Sequence, residues 1–252
     1  MKTLLLDIET APNKVYTWGL WKQNVALNQI DEPGYTLCWA AKWLGEKGTM
    51  FSSIHHDGKK AMLLRIYELL DEADVVIHYN GTNFDLPILS QEFLSIRWPP
   101  PSPVQQIDLL RTARQRFRLV SNKLDYVLTF LGLENKVEHK GMALWRGCMD
   151  GDKKSWKVME KYNKKDVTQL EKVYDILRPW VRNHPNHALY TDDVQKVCPS
   201  CGSSHLQKRG TYRTAVFTYQ RYQCQAEGCG AWSKDRFNDM DKEKRESVLK
   251  GI

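Results

Sequence analysis

The sequence predicts an α/β domain built on a mixed β-sheet, followed by a small cysteine-rich module. Three observations carry that expectation. Short apolar stretches at residues 2–9, 36–44 and 49–55 come before any helical repeat. A helical repeat then leads directly into another apolar strand. Four of the six cysteines crowd into residues 198–229.

The elements follow in order. The first three stretches are bounded by Gly, Pro or Asp, and three strands in succession imply an antiparallel meander. Residues 59–72 place Met62, Leu63, Ile66, Leu69 and Leu70 at helical spacing. The next stretch, 74–79, contains the fully apolar Val75–Ile77, typical of a strand in a sheet centre. That succession is a crossover to a parallel strand. Helices are expected at 86–96, 107–117, 122–131 and 155–178, broken by Trp98 with its three following prolines and by a loop at Gly141–Gly151. The composition around Asn183–His187 marks a linker, so the domains are expected at 1–185, with a linker at 186–193, a cysteine module at 194–233 and a charged tail at 234–252. That tail is either a short exposed helix or disordered.

Composition excludes several classes. With 252 residues, 42% hydrophobic and 27% charged, the chain has the makeup of a packed globule, not of a disordered or fibrous protein. No run of about 18 uncharged apolar residues exists, which argues against a membrane span or signal peptide. The expected location is the cytoplasm, or the host cytoplasm if a phage encodes the chain. Lys and Arg number 37 against 30 Asp and Glu, a net +7, so the placement of charge matters more than its size. Residues 194–226 contain no acid, and Arg111, Arg114, Arg116 and Arg118 form a second basic cluster. Both patches suit a phosphate backbone, or are simply solvated faces.

Cys198 and Cys201 have the two-residue spacing that lets two thiolates reach one tetrahedral zinc, and Cys224 and Cys229 are spaced for a second pair. A redox dithiol is the rival. Four thiolates close the coordination shell, so one structural Zn²⁺ is expected there. Cys38 and Cys148 stand alone, as ordinary buried thiols do.

The acids are more specific. Asp7 and Glu9 end the first strand two residues apart, so both carboxylates share one face, where a divalent cation offsets their repulsion. On the last long helix, Met159, Tyr162, Asp166, Leu170, Val173 and Leu177 form one inward stripe. An inward carboxylate needs a partner or a metal; alternatively the helix is rotated so that Asp166 pairs with Lys165 or an Arg. The third piece favours the first reading. After Val75–Ile77, the segment His78–Leu89 holds a Gly turn into a helix that delivers Asp85 beside the strand end.

Together, Leu6-Asp7-Ile8-Glu9-Thr10, then Asn80, Asn83, Phe84 and Asp85, then Tyr162 and Asp166 resemble, in order, the three exonuclease motifs of the DEDD superfamily of 3′–5′ exonucleases. These segments cover most of residues 1–178. One branch has a His five residues before the last Asp; here Lys161 stands there, and Tyr162 lies four before it, as in the tyrosine branch. The second motif is similar to that of family B polymerase exonuclease domains, but no polymerase palm, fingers or thumb follows. A free-standing nuclease of the phage or bacterial kind, with a zinc-ribbon-like tail, is the closer likeness.

The resemblance implies a ribonuclease H-like, five-stranded mixed sheet flanked by helices. It implies that Asp7, Glu9, Asp85 and Asp166 hold two Mg²⁺ or Mn²⁺ ions, with Asp7 as the bridge and Glu9 near the attacking water, which Tyr162 orients. Thr10, Asn80, Asn83 and Phe84 are the corresponding substrate-binding candidates; amides bond sugar or phosphate, and the Phe84 ring stacks on a base. Asn83 is alternatively a helix cap. The expected activity is release of nucleoside 5′-monophosphates from DNA 3′ ends, single strands preferred. The alternatives are a 3′–5′ exoribonuclease and a non-catalytic nucleic-acid-binding adaptor, although an adaptor has no use for repelling carboxylates.

In the cysteine module, Tyr212, Arg213, Phe217, Tyr219, Arg221 and Tyr222 interleave rings and cations. Arg213 and Arg221 are therefore nucleic-acid-binding candidates, with docking of a protein partner as the rival. Tyr16, Trp18 and Trp21 either contact substrate or pack. Asp108 either supports the site or caps a helix. His55, His56, His78 and His139 have no supporting constellation.

Overall fold

The computed structural model describes residues 1–134, 141–192 and 194–251, so His139 lies outside the described residues. Two compact units divide the chain: Lys2–Val173, and Tyr174–Ile252 together with Met1.

The first unit is a mixed α/β fold around a five-stranded sheet, as the sequence predicts. Its strands are β1 (Thr3–Thr10), β4 (Thr36–Trp43), β5 (Met50–Ser53), β6 (Val75–His78) and β7 (Gln105–Asp108), while β2 (Lys14–Val15) and β3 (Ile30–Glu32) pair as a separate ribbon. The order is β5-β4-β1-β6-β7. β1, β4 and β5 form the antiparallel meander, and β6 and β7 add in parallel. The crossover to β6 is α1 (Lys59–Glu72).

Side-chain alternation along β1 sets up the layers. Leu4, Leu6 and Ile8 pack against Met62, Leu63, Ile66 and Leu70 of α1 and Leu89 and Phe93 of α2 (Asp85–Ser95). A second cluster joins Leu37 and Cys38 of β4 to Leu144 and Cys148 of α5 (Met142–Met149) and to Trp156, Met159 and Tyr162 of α6 (Lys153–Leu177). α3 (Leu109–Arg116) and α4 (Leu124–Phe130) complete the unit. One register detail positions the site. β1 pairs with β6 only through Thr3–Leu5, so its last residues run past the end of its parallel neighbour.

Two expectations need correction. Residues 107–117 do not form one helix: Gln105–Asp108 is the fifth strand, and α3 follows it. The polar Gln105-Gln106 pair gives no strand signal of its own; parallel pairing with Val75–His78 decides its state. The segment Gly141–Gly151 is not a loop, because α5 fills it. Its glycines, at φ 55° and 77°, are the flanking turns of a helix and not the mark of a continuous loop. The Trp156 indole N–H donates to Cys148 O at 3.0 Å, fixing α5 to α6.

The second unit holds a sheet in the order β10-β9-β8, from β8 (Leu206–Arg213), β9 (Thr218–Cys224) and β10 (Trp232–Lys234). A short helix, α7 (Lys242–Ser247), lies in the charged tail, capped by Asp241, which accepts from Lys244 N at 2.7 Å. Among the described residues, no helix is long and apolar enough to cross a membrane.

Candidate active site

Asp7 and Glu9 project from β1 on the face opposite Ile8, and α6 brings Asp166 to them. The ligand oxygens of these three carboxylates lie within 4.8 Å of one another. Asp166 is buried. The rotated-helix alternative does not hold: Lys165 pairs with Glu134, and Asp166 turns inward. Three like charges at this separation repel unless protons or a cation intervene, and an all-oxygen donor set suits a hard divalent ion.

Asn163, one residue after Tyr162, was not singled out by the sequence. It is fully buried and donates Nδ2–H to Asp7 Oδ2 at 2.7 Å and to Asp7 O at 3.3 Å. The available signal was its position three residues before Asp166 on the inward stripe.

Asp85 is not part of the three-acid cluster but touches the same strand. The β6 chain ends at His78 and turns through Asn80, at φ 72°, into α2. His78 Nδ1 accepts from Gly81 N at 2.9 Å, and a Cβ on Gly81 would lie 2.4 Å from the His78 ring, so only glycine fits. Asp108 Oδ1 braces the turn, accepting from Asn80 N at 3.1 Å and from Arg111 N at 3.2 Å. Asp108 thus caps α3 and supports the turn at once. The turn delivers Asp85 Oδ1 to Ile8 N at 3.0 Å, filling the ladder position that β6 vacates. Burial pushes the Asp85 carboxyl up to about 7, against the opposing pull of the Ile8 N–H.

Tyr162 sits one turn before Asp166, its ring edge-to-face with Trp145 of α5 at 6.1 Å. Burial pushes its phenol well above the usual value, and the charges of Asp166, Glu9 and Asp7 push it further. It stays protonated through the neutral range and acts as a hydrogen-bond donor.

In the second unit the four sulfurs of Cys198, Cys201, Cys224 and Cys229 lie within 4.8 Å of one another, with 3.8 Å between Cys198 and Cys229 and 3.6 Å between Cys201 and Cys224. All are free thiols, too far apart for disulfides. A tetrahedron with metal–sulfur bonds of about 2.3 Å has edges of about 3.8 Å, so the set fits one tetrahedral ion. Burial raises the metal-free thiols of Cys198 and Cys229, the latter to about 11, while backbone N–H groups of Ser200, Cys201 and Ala231 pull the other way. Beside Cys201, burial is outweighed by the Ser203 N–H and the neighbouring cysteines, and its thiol is lowered. Cys198, Cys224, Cys229 and Ala231 form a buried cluster in this unit, with Cys201, Leu206 and Ala226 packed against it.

The RNase_H superfamily signature RNase_H_2 matches residues 4–178. The chain belongs to the RNase H superfamily. Among solved structures it is similar to the family B DNA polymerase from the hyperthermophilic archaeon Pyrobaculum calidifontis, with a TM-score of 0.53 and 16% identity over 71% of this chain and 24% of that one. At that identity the likeness is one of fold, and this chain spans about a quarter of the polymerase. No curated protein matches the sequence.

The remaining candidates of this RNase H superfamily chain fall in different places. Thr10 is half-buried at the end of β1, just past a register shift. Asn80 and the exposed Asn83 and Phe84 line the turn before Asp85, and Asn83 Nδ2 reaches Asn80 Oδ1 at 3.4 Å. Asn83 does not cap α2: the cap position is Phe84, with no side-chain bond. Arg213 and Arg221 fall on opposite faces of the β8–β9 sheet, since Arg213 pairs with Thr218 while Arg221 shares its face with Tyr219. Trp18 and Trp21 are 99% and 85% exposed, so packing does not account for them.

Proposed function

We propose that the chain is a metal-dependent 3′–5′ exonuclease of the tyrosine DEDD branch, hydrolysing DNA 3′ ends, preferably single-stranded, to nucleoside 5′-monophosphates. The observation that carries this reading is the meeting of Asp7 and Glu9 from β1 with Asp166 from α6, oxygens within 4.8 Å. Membership of the RNase H superfamily supports nuclease chemistry, and the order of the three motifs supports the branch.

In this reading Asp7, Glu9, Asp85 and Asp166 hold two Mg²⁺ or Mn²⁺ ions. When bound, such a pair acidifies the attacking water and relieves charge on the phosphorus oxygens and the departing 3′-oxygen. Tyr162, protonated, donates a hydrogen bond that orients the water; it is no general base. Asn163 fixes the Asp7 rotamer. Phe84 stacks on the terminal base, and Thr10, Asn80 and Asn83 bond the last sugar and phosphate. Cys198, Cys201, Cys224 and Cys229 hold one structural Zn²⁺ that stabilises the fold around it.

The test is a labelled-oligonucleotide assay with Mg²⁺, using DNA and RNA blocked in turn at each end. The reading expects one-nucleotide steps from a free 3′ end of DNA and none from a blocked one. Equal degradation of the 3′-blocked strand refutes the polarity, and faster cleavage of RNA turns the assignment to the exoribonuclease.

A further inference from the structure

The unit Tyr174–Ile252 carries a surface that the cleavage reaction does not use. Strand pairing sets Tyr212 opposite Tyr219, Lys234 opposite Arg221 and Trp232 opposite Gln223. Alternate residues of a strand share a face, so Tyr212, Tyr219, Arg221, Trp232 and Lys234 all lie on one side of the sheet. Tyr222 takes the other side and is buried.

The rings on the first face behave differently from Tyr222. Tyr212 and Trp232 are 46% and 52% exposed, so filling a core does not explain them. Each carries a cation: Lys234 Nζ lies 3.5 Å from the Tyr219 centroid and 5.5 Å from that of Tyr212, and the Arg221 guanidinium lies 4.7 Å from Trp232. Arg221 is steadied by Nε donation to Arg209 O at 2.9 Å, beside a β-bulge at Lys208–Thr211. No acid occurs in residues 194–226. Asp235, next to Lys234, is bound to Lys196 and Tyr222.

We propose that this face binds a single-stranded polynucleotide, with bases stacked on Tyr212 and Trp232 and phosphates held by Lys234 and Arg221. A base stacked on an exposed ring is worth more than an exposed cation–ring contact, so bases displace the cations from the rings. The displaced cations are then where the phosphates run. Stacking accepts every base and ignores the sugar, whereas a duplex hides the base faces. The proposal needs none of the active-site acids and stands or falls apart from the cleavage reading.

Fluorescence anisotropy of a labelled oligothymidylate, titrated with the full chain carrying Asp166→Ala and no added divalent salt, tests it. Tyr212→Ala and Trp232→Ala are each expected to raise Kd roughly 5- to 150-fold. Tyr212→Phe keeps the ring and stays within about twofold of the parent. Lys234→Glu weakens binding and flattens its dependence on salt. Oligouridylate binds within about tenfold of oligothymidylate, and a duplex of equal length binds more weakly. Thiol reactivity of the cysteines reports whether each variant keeps its fold; should the alanine variants lose it, Tyr212→Phe and Lys234→Glu decide. Binding unchanged in Lys234→Glu, or damage by Tyr212→Phe equal to that by Tyr212→Ala, overturns the proposal. So does a parent chain that binds no strand, which leaves the face to a protein partner.

Discussion

Asn163 Nδ2 donates to Asp7 Oδ2 at 2.7 Å, joining the helix that carries Asp166 to the strand that carries Asp7 and Glu9. The same N–H group reaches Asp7 O at 3.3 Å, so both the side chain and the backbone of the acid are held. A buried amide in this place does for the carboxylate what outer partners do for metal ligands: it holds the side chain in one rotamer.

Asn163→Ala is therefore expected to lower metal affinity or turnover by about 10- to 100-fold while the chain stays folded. Mn²⁺ titrations of nucleotide release, alongside circular dichroism, measure it. Activity equal to the parent at every Mn²⁺ concentration removes Asn163 from the site.

Gly81 controls where Asp85 stands. Because a Cβ there meets the His78 ring at 2.4 Å, Gly81→Ala is expected to destabilise the fold by about 1–3 kcal/mol and to move Asp85 off Ile8 N. Thermal unfolding and activity report the two effects separately. A variant with the parent's Tm and rate shows that the turn yields freely.

The raised Asp85 carboxyl gives a pH signature with a definite sign. Burial holds it near 7, so the metal-free fold binds a proton there over the range from about 7 down to the ordinary carboxylate value. Stability from this group is thus greatest at low pH and is lost as pH rises through about 7. If Asp85 is a ligand, as proposed, metal binding runs the opposite way, since the ion must displace that proton. Below pH 7 the divalent ion needed for half-maximal activity is expected to rise, approaching tenfold per unit. Asp85→Asn abolishes this slope along with most of the activity. A metal requirement that stays flat from pH 8 to pH 6 contradicts the role given to Asp85.

Removal of the proposed zinc is expected to unfold the cysteine module, because three of the four cysteines are members of its buried cluster and structural zinc contributes about 10–16 kcal/mol of apparent binding energy. Metal analysis after chelator-free purification should find one zinc per chain. Chelation or Cys224→Ser should then expose the remaining thiols to modification and residues 194–233 to proteases. Finding no zinc, or a chelated module as resistant as before, rejects the structural role.

Much of the fold was legible because its signals are local. The apolar β1, the helical spacing of α1 and the inward stripe of α6 each state their own structure, and Asp7, Glu9 and Asp166 stand out as charges on otherwise apolar faces. What stayed hidden depends on partners distant in sequence. The polar strand Gln105–Asp108 exists because β6 pairs with it. The helix Met142–Met149 is masked by glycines that turn the chain at its ends. Asn163 shows its purpose only once Asp7 faces it. Arg213 and Arg221 look equivalent in the sequence, and only the strand register separates their faces.

The central claim is that these carboxylates cage a pair of hard ions, and anomalous diffraction from crystals soaked in Mn²⁺ tests it most directly. The account expects two anomalous peaks about 3.5–4 Å apart, touching Asp7, Glu9 and Asp166, with Asp85 completing one shell. Mn²⁺ absent from that cluster, or bound only by other acids, contradicts it.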